Sequence, residues 1–206
     1  MNYDSFNNNV LLVGRATSDL VFSHAYSYTN KVFYKFTIDV VRSQKKNGDS
    51  IIDSFPISIS GDQLEKNEVA VGQIKPDTIV LVRGAIKTLP RGNIIARKIS
   101  ILTEINENSA HNAVDLVGCV FGEVTFSSDR ANLSFFDLSI LRKFESGIKE
   151  DRIPIVCQKK IAKEDLVKHG NMLSITGSLR CRQKVGQDIL SVYASKVVPF
   201  VASQSE

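Results

Sequence analysis

The chain has 206 residues, of which 43% are hydrophobic, and it carries a formal net charge of +4 at pH 7. This composition is ordinary for a globular protein, and the length allows two domains of roughly 100 residues each. The two halves of the chain carry the same number of basic residues and the same number of acidic residues, which excludes a basic tail. The small positive balance is compatible with a polyanionic partner but does not require one.

The predicted elements of the first half are five strands and one short helix. An apolar run containing Gly14 predicts a first strand that bends, and residues 18–31 are interpreted as a strand end, a loop and a strand start. Strict alternation from Phe33 predicts a half-buried strand, and Asn47-Gly48 predicts the hairpin that follows it. The strands are predicted at 10–17, 33–42, 53–60, 78–89 and 93–102, with the helix within 61–77.

Two landmarks of the first half return in the second half after about 100 residues. FYKFTIDVVR from Phe33 corresponds to LSFFDLSILR from Leu133, and DSFPISI from Asp53 corresponds to DRIPIVC from Asp151. A near-constant offset of this size indicates a duplicated domain rather than a short repeat. The protein is therefore predicted to use two copies of one small β domain.

The second half repeats the same plan. Its strands are predicted at 114–125, 133–142, 151–158, 172–181 and 189–200, and a helix is predicted at 160–169 with Gly170 as its cap. Three strands, a helix and two strands are the layout of an OB-fold. We predict an all-β protein with one short helix per domain, built as two tandem OB-fold five-stranded Greek-key barrels at 8–104 and 111–201.

The cysteines and the N-terminus indicate the compartment. Cys119, Cys157 and Cys181 form no C-x-x-C pair and no metal-ligand spacing, so reduced thiols in a cytoplasmic protein are expected. The sequence shows no N-terminal apolar segment and no long apolar run. Neither export nor membrane insertion is predicted.

The motifs and their order resemble bacterial and phage single-stranded DNA-binding proteins of the OB type, duplicated within one polypeptide. The residues that carry the resemblance in the first half are Val10-Leu-Leu-Val-Gly14-Arg15, Phe36-Thr-Ile-Asp-Val-Val-Arg42, Asp53-x-Phe-Pro56-Ile, Gly61-x-x-Leu64 and Val82-Arg-Gly84. Those in the second half are Val117-Gly118, Phe136-Asp-Leu-Ser-Ile-Leu-Arg142, Asp151-x-Ile-Pro154-Ile and Ile175-Thr-Gly177.

The resemblance implies largely sequence-independent binding of single-stranded DNA in replication, recombination or repair. It places binding on the strand faces and on the loops that join strands one to two, two to three and four to five. It also implies a homodimer that presents four OB domains, and RNA is a possible partner. Neither cofactor, metal nor small-molecule substrate is expected. The chain departs from the family in having no Trp, and Ser54, Ser60, Arg152 and Gln158 stand where bases often stack.

Binding single strands without reading sequence needs cations for phosphates and planar groups for bases. Any single cation of this kind is more often a solvated surface charge than a binding residue, but Arg42 and Arg142 are favoured because both copies keep them. The candidate cations are Arg15, Lys31, Lys35, Arg42, Lys45, Lys46, Lys87, Arg91 and Arg97 in the first half, and Arg130, Arg142, Lys143, Arg152, Arg180, Arg182 and Lys184 in the second.

Four aromatic residues are the candidates for stacking in place of Trp. They are Tyr26, Tyr28 and Phe33 in the first half and Phe135 in the second. The two phenylalanines can instead cover a dimer interface, and the two tyrosines can pack under their own loop. Both alternatives remain open at the level of the sequence.

Catalysis finds no support in the sequence. His24, His111 and His169 stand far apart, and no nucleophile elbow, phosphate-binding loop or metal motif is present. The alternative function is a primosome-type or assembly scaffold, because OB barrels also bind proteins.

Overall fold

The computed structural model describes residues 6–27, 29–44, 50–88, 92–105, 111–127, 132–144, 147–162, 165–184 and 187–201. In this part of the chain eleven strands and one short helix are present. They are β1 (Asn7–Ala16), β2 (Val21–Tyr26), β3 (Lys31–Gln44), β4 (Ser50–Ser60), α1 (Gly61–Lys66), β5 (Ile79–Lys87), β6 (Asn93–Leu102), β7 (Asn112–Phe126), β8 (Leu133–Phe144), β9 (Gly147–Gln158), β10 (Met172–Lys184) and β11 (Gln187–Pro199).

Each half of the chain closes a five-stranded barrel. In the first barrel β1 pairs with β3, β3 with β4, β4 with β6, β6 with β5, and β5 returns to β1. In the second barrel β7, β8, β9, β11 and β10 close in the same order. In both barrels all strand pairs are antiparallel except β4–β6 and β9–β11, which are parallel. The two halves therefore share one topology.

Alternation along the strands explains why both barrels close around apolar interiors. In the first barrel Leu12, Ile38 and Phe55 are fully buried, and in the second barrel Leu116 and Leu138 are fully buried. Gly14 and Gly118 allow the strands to approach at the closing seams. A Cβ atom on Gly14 would lie 2.2 Å from the Asp39 carbonyl oxygen, which no side chain can tolerate.

The two barrels are joined through their first strands. β1 and β7 pair antiparallel from Asn7 to Leu12, and the register is centred on Val10 opposite Val114. These two valines occupy the same place in the two halves, so the pairing has a local twofold axis. The amide of Asn8 bonds the backbone of Ile86 in the first barrel, and Asn112 bonds Leu179 in the same way in the second.

The segment 18–31 contains a strand that the sequence analysis did not separate from its loop. β2 pairs with β3 at the edge of the first barrel, and a bulge at Ser23 interrupts the pairing between Phe22 and His24. A bulge inserts one extra residue and breaks the two-residue period. Phe22 and His24, which are two positions apart, therefore face opposite sides of the sheet instead of the same side. The alternation in the sequence was therefore too irregular to predict this strand.

The predicted helices are shorter than expected or absent. α1 ends at Lys66, and Glu68 and Gly72 adopt positive φ, so the rest of 61–77 forms turns. In the second half the described parts of 160–169 also form turns, and the helix predicted there was wrong. Ala162 and Val167 are buried in the core, and the backbone N–H of Gly170 bonds Val120 of β7, which ties this segment to the barrel.

Candidate nucleic-acid interface

Three rings meet on the outer face of the first barrel, where β2 and β3 pair. His24 stacks on Phe33 with ring centroids 5.0 Å apart and planes 5° apart. Tyr26 meets both rings edge-on, at 5.1 Å from His24 and 5.4 Å from Phe33. Tyr26 is 50% exposed, and His24 is also exposed. This ring cluster, made of His24, Tyr26 and Phe33, offers π-faces to solvent.

Cations flank the ring cluster on the same face. Lys31 pairs with Tyr26 across the strands, and Lys35 lies two residues beyond Phe33, so alternation places both lysines on the side of the rings. Both lysines are exposed. Arg15 of β1 is exposed opposite Asp39 of β3 and donates to the Asp77 carbonyl oxygen at 3.5 Å. The arrangement combines planar groups with positive charge.

The corresponding face of the second barrel is arranged differently. The guanidinium of Arg152 lies 3.7 Å from the centre of the Phe121 ring, and its Nη2 is 3.2 Å from Oε2 of Glu150. The hydroxyl of Ser139 donates to the other oxygen of Glu150 at 2.7 Å. Burial raises the pKa of Asp137, which pairs with Phe121 across the strands.

Arg42 and Arg142 occupy equivalent ion pairs at the ends of their strands. Arg42 donates two hydrogen bonds to Asp53, at 2.8 and 2.5 Å, and Arg142 bonds Asp151. Both carboxylates are 2% exposed. The hydrogen bonding of Arg42 to the Asp53 carboxylate is the main cause that raises the pKa of Arg42. The repetition of these arginines is thus explained by buried partners in the barrel.

Lys87 and Arg180 lie at equivalent positions, three residues after Gly84 and Gly177, where one barrel faces the other. Burial is the main cause that lowers the pKa of Lys87, and repulsion from Arg142 of the second barrel adds to it. The pKa of Arg180 is lowered by burial and by the charge of Arg42 in the first barrel. Next to Lys87, the backbone N–H of Thr88 is 3.4 Å from Oδ1 of Asp151.

Arg180 and Arg182 both contact Tyr193 of the neighbouring strand. The Arg180 guanidinium lies 3.8 Å from the centre of the Tyr193 ring, and Nη2 of Arg182 donates to the tyrosine hydroxyl at 2.6 Å. Arg182 is exposed while Arg180 is partly buried. Of these two predicted cations, Arg182 is therefore the more accessible to a ligand.

The remaining predicted binding residues differ in their exposure and in their contacts. Phe135 is 39% exposed on the outer face of β8. Arg97 donates to the Asn9 side chain at 2.9 Å and to the Asn8 carbonyl oxygen at 3.3 Å, which ties it to β1. Tyr28, Lys45, Lys46, Arg91 and Arg130 lie outside the described residues, and the side chains of Lys143 and Lys184 are likewise not described.

The sequence analysis missed two aromatic contributors to these faces. His24 was considered only as a catalytic residue, because the strand that aligns it with Phe33 was interpreted as a loop. Phe121 was assigned to the first strand of the second domain without a role. The sequence held a signal for Phe121. Alternation along β7 and β9 places Phe121 and Arg152 on the outward side, and both strands pair with β8.

The three cysteines are free thiols. Burial raises the pKa of Cys157 to about 11 and that of Cys181 to about 12. Within the described ranges no three His, Cys, Asp or Glu residues are grouped where they could hold a metal ion. Among the same residues, no helix has the length and apolar character needed to cross a bilayer.

Known structures share this fold over the full length of the chain. A deletion variant of the single-stranded DNA-binding protein from Thermus aquaticus matches with a TM-score of 0.72 at 13% identity, over 98% of both chains. The wild-type form of that protein matches with a TM-score of 0.70 at 13% identity, over 98% of this chain and 96% of that one. No protein-family model and no curated protein matches the sequence. The predicted fold of two tandem OB barrels is confirmed.

Proposed function

We propose that this protein binds single-stranded DNA without reading its sequence, in the cytoplasm and without catalysis, and protects it during replication, recombination or repair. The ring cluster of the first barrel is the observation that carries the proposal. Its His24 and Tyr26 rings are exposed, Phe33 is half-buried, and Lys31 and Lys35 lie on the same face. Bases stack on such rings whatever their identity, while cations bind the phosphates that every nucleotide carries.

The fold likeness supports the same function. Two structures of a single-stranded DNA-binding protein match this chain from end to end. OB barrels use the strand face and the loops around it to bind oligonucleotides, and the ring cluster lies on that face. The second barrel contributes Arg182 and the face around Phe135 and Arg152, so we propose that a long strand contacts both barrels.

Fluorescence anisotropy with labelled oligo-dT of about 35 nucleotides tests the proposal, since one OB fold binds roughly 4–16 nucleotides. We expect binding at low salt that weakens steeply as salt rises. Tyr26→Ala should weaken binding about 5-fold to 100-fold, the value of one stacked base. Phe22→Ala is the matched control, because Phe22 is an exposed ring on the same strand but outside the ring cluster.

Two outcomes would contradict the proposal. Absence of binding at low salt would favour the alternative in which the barrels bind protein partners. Equal losses in the Tyr26 and Phe22 variants would remove the ring cluster as the stacking site. Parallel titrations with oligo-rU decide whether RNA is also bound.

We also propose that two copies of the chain associate, so that four OB barrels act together. Sedimentation equilibrium measures this directly. A mass of twice 22.8 kDa supports the homodimer, and a mass equal to that of one chain at micromolar concentration contradicts it.

A further inference from the structure

The outer face of the second barrel contains an aromatic ring that the proposed function has not used. Phe121 lies on β7, and it pairs across the strands with Asp137 of β8. Asp137 and Phe135 are two residues apart on β8, so alternation places Phe121 on the same outward side as the predicted stacking residue Phe135. The exposed His169 forms an edge-type ring pair with Phe121, with ring centroids 5.9 Å apart and planes 70° apart.

Arg152 covers the face of this ring. Its guanidinium carbon lies 3.7 Å from the ring centre, which is the distance of a stacked planar group. A guanidinium in this place occupies the position in which a nucleobase would stack. The Arg152 side chain is nevertheless 47% exposed, so it can leave the ring without unfolding the strand beneath it.

Glu150 holds Arg152 in the covering position. One carboxylate oxygen of Glu150 is 3.2 Å from Nη2 of Arg152, and the other accepts a hydrogen bond from Ser139 at 2.7 Å. The bonds from Ser139 and Arg152 lower the pKa of Glu150, so the carboxylate is charged near neutral pH. The first barrel lacks this arginine–glutamate pair at the equivalent positions, because Ser54 and Ile52 stand where the second barrel has Arg152 and Glu150.

We propose that Phe121 is a second base-stacking site, covered by Arg152 until a strand of nucleic acid displaces the guanidinium onto a phosphate. This inference rests on the proposed function and specifies how the two barrels share it. The open ring cluster of the first barrel binds first. The covered ring of the second barrel binds only strands long enough to reach it, and its displaced arginine then adds a phosphate contact.

Anisotropy titrations of the full-length protein with two oligo-dT lengths test this order. One oligonucleotide has about 10 nucleotides, within the reach of one barrel, and the other has about 35. Glu150→Gln releases Arg152 and should tighten binding of the long oligonucleotide about twofold to fivefold, with no change for the short one. Glu123→Gln is the matched control, because it removes the same charge from an exposed position on β7.

The gain must also depend on the ring. In the double variant Glu150→Gln/Phe121→Leu we expect the gain to disappear, while thermal unfolding confirms that the barrel remains folded. Equal effects of Glu150→Gln and Glu123→Gln would overturn the inference, since charge alone would then explain them. Persistence of the gain without Phe121 would overturn it as well. If the wild-type protein binds neither oligonucleotide, the proposed function itself fails.

Discussion

The outer faces of the two barrels carry different arrangements of aromatic and charged groups, on β2 and β3 in the first barrel and on β7 and β9 in the second. In the first barrel Tyr26 and His24 are exposed, Phe33 is half-buried, and Lys31 and Lys35 lie on the same face. In the second barrel Arg152 lies on Phe121 and is held there by Glu150. The inner faces differ little, since Ile38 and Leu138 are both fully buried. Close packing restricts interior side chains far more than exposed ones, so duplication preserved the barrel while the surfaces diverged.

The largest expected effect concerns the frame that both barrels share. Asp53→Ala and Asp151→Ala each leave an arginine without its buried carboxylate partner, and each should lower the free energy of unfolding by about 3 kcal/mol. Urea denaturation measures both, and Asp39→Ala is the control because Asp39 is less buried and accepts from Ser54 at the surface. A large loss in one barrel and none in the other would show that the frames are not equivalent.

Substitution of one phenylalanine in each barrel tests the difference between the faces. Phe33→Leu removes a stacked ring from the ring cluster and should weaken binding of oligo-dT by about 1–3 kcal/mol. Phe135→Leu should have a smaller effect, because in the described part of the chain no ring stacks on Phe135. Equal losses would mean that the two faces contribute equally to stacking.

The salt dependence of binding separates cations on a face from cations between the barrels. Lys31→Ala combined with Lys35→Ala should reduce the slope of log affinity against log salt by about 1.4, or about 0.7 for each lost phosphate contact. Lys87→Met should leave the slope unchanged, since Lys87 faces the second barrel. A reduced slope in the Lys87 variant would place this lysine on the path of the strand.

The smallest expected effect is the pH dependence of the cover on Phe121. The folded pKa of Glu150 lies below its ordinary value of 4.5. The ion pair between Glu150 and Arg152 therefore contributes its full stability above pH 4.5. This contribution is lost as the pH falls from 4.5 through the lowered pKa of Glu150. The wild-type protein should melt about 1 °C above Glu150→Gln at pH 7, and the difference should shrink as the pH falls below 4.5 and Glu150 becomes protonated. A difference that persists in acid would exclude the charged pair as its cause.

The fold was predictable because its signal is repeated. Alternation around Phe36 and Phe136, with Gly14 and Gly118 in the first strands, defines two similar sets of strands without any knowledge of contacts. The turns in the described part of 160–169 were not predictable in the same way. The apolar residues of this segment suit a helix, but the backbone N–H of Gly170 donates to the carbonyl oxygen of Val120. That long-range contact forms only when the barrel is complete.

The site was predictable only in part, because several of its determinants are contacts between distant segments. Tyr26 and Phe33 were predicted as stacking residues, whereas the bulge that brings His24 against both rings was not visible. Arg42 looked like a binding residue because it recurs, but Asp53 accounts for its recurrence. Arg180 was predicted as a binding cation, and only the docking of the barrels shows that it is partly buried.

The pairing of β1 with β7 has a consequence for how the protein behaves on dilution. Residues 103–111 join the last strand of the first barrel to β7, so association of the barrels is intramolecular and depends on an effective concentration rather than on the amount of protein. Such concentrations are typically millimolar for short tethers, far above the level of any dilute solution. The two unlike faces therefore reach a nucleic acid strand together, in fixed order, even when a single chain is present.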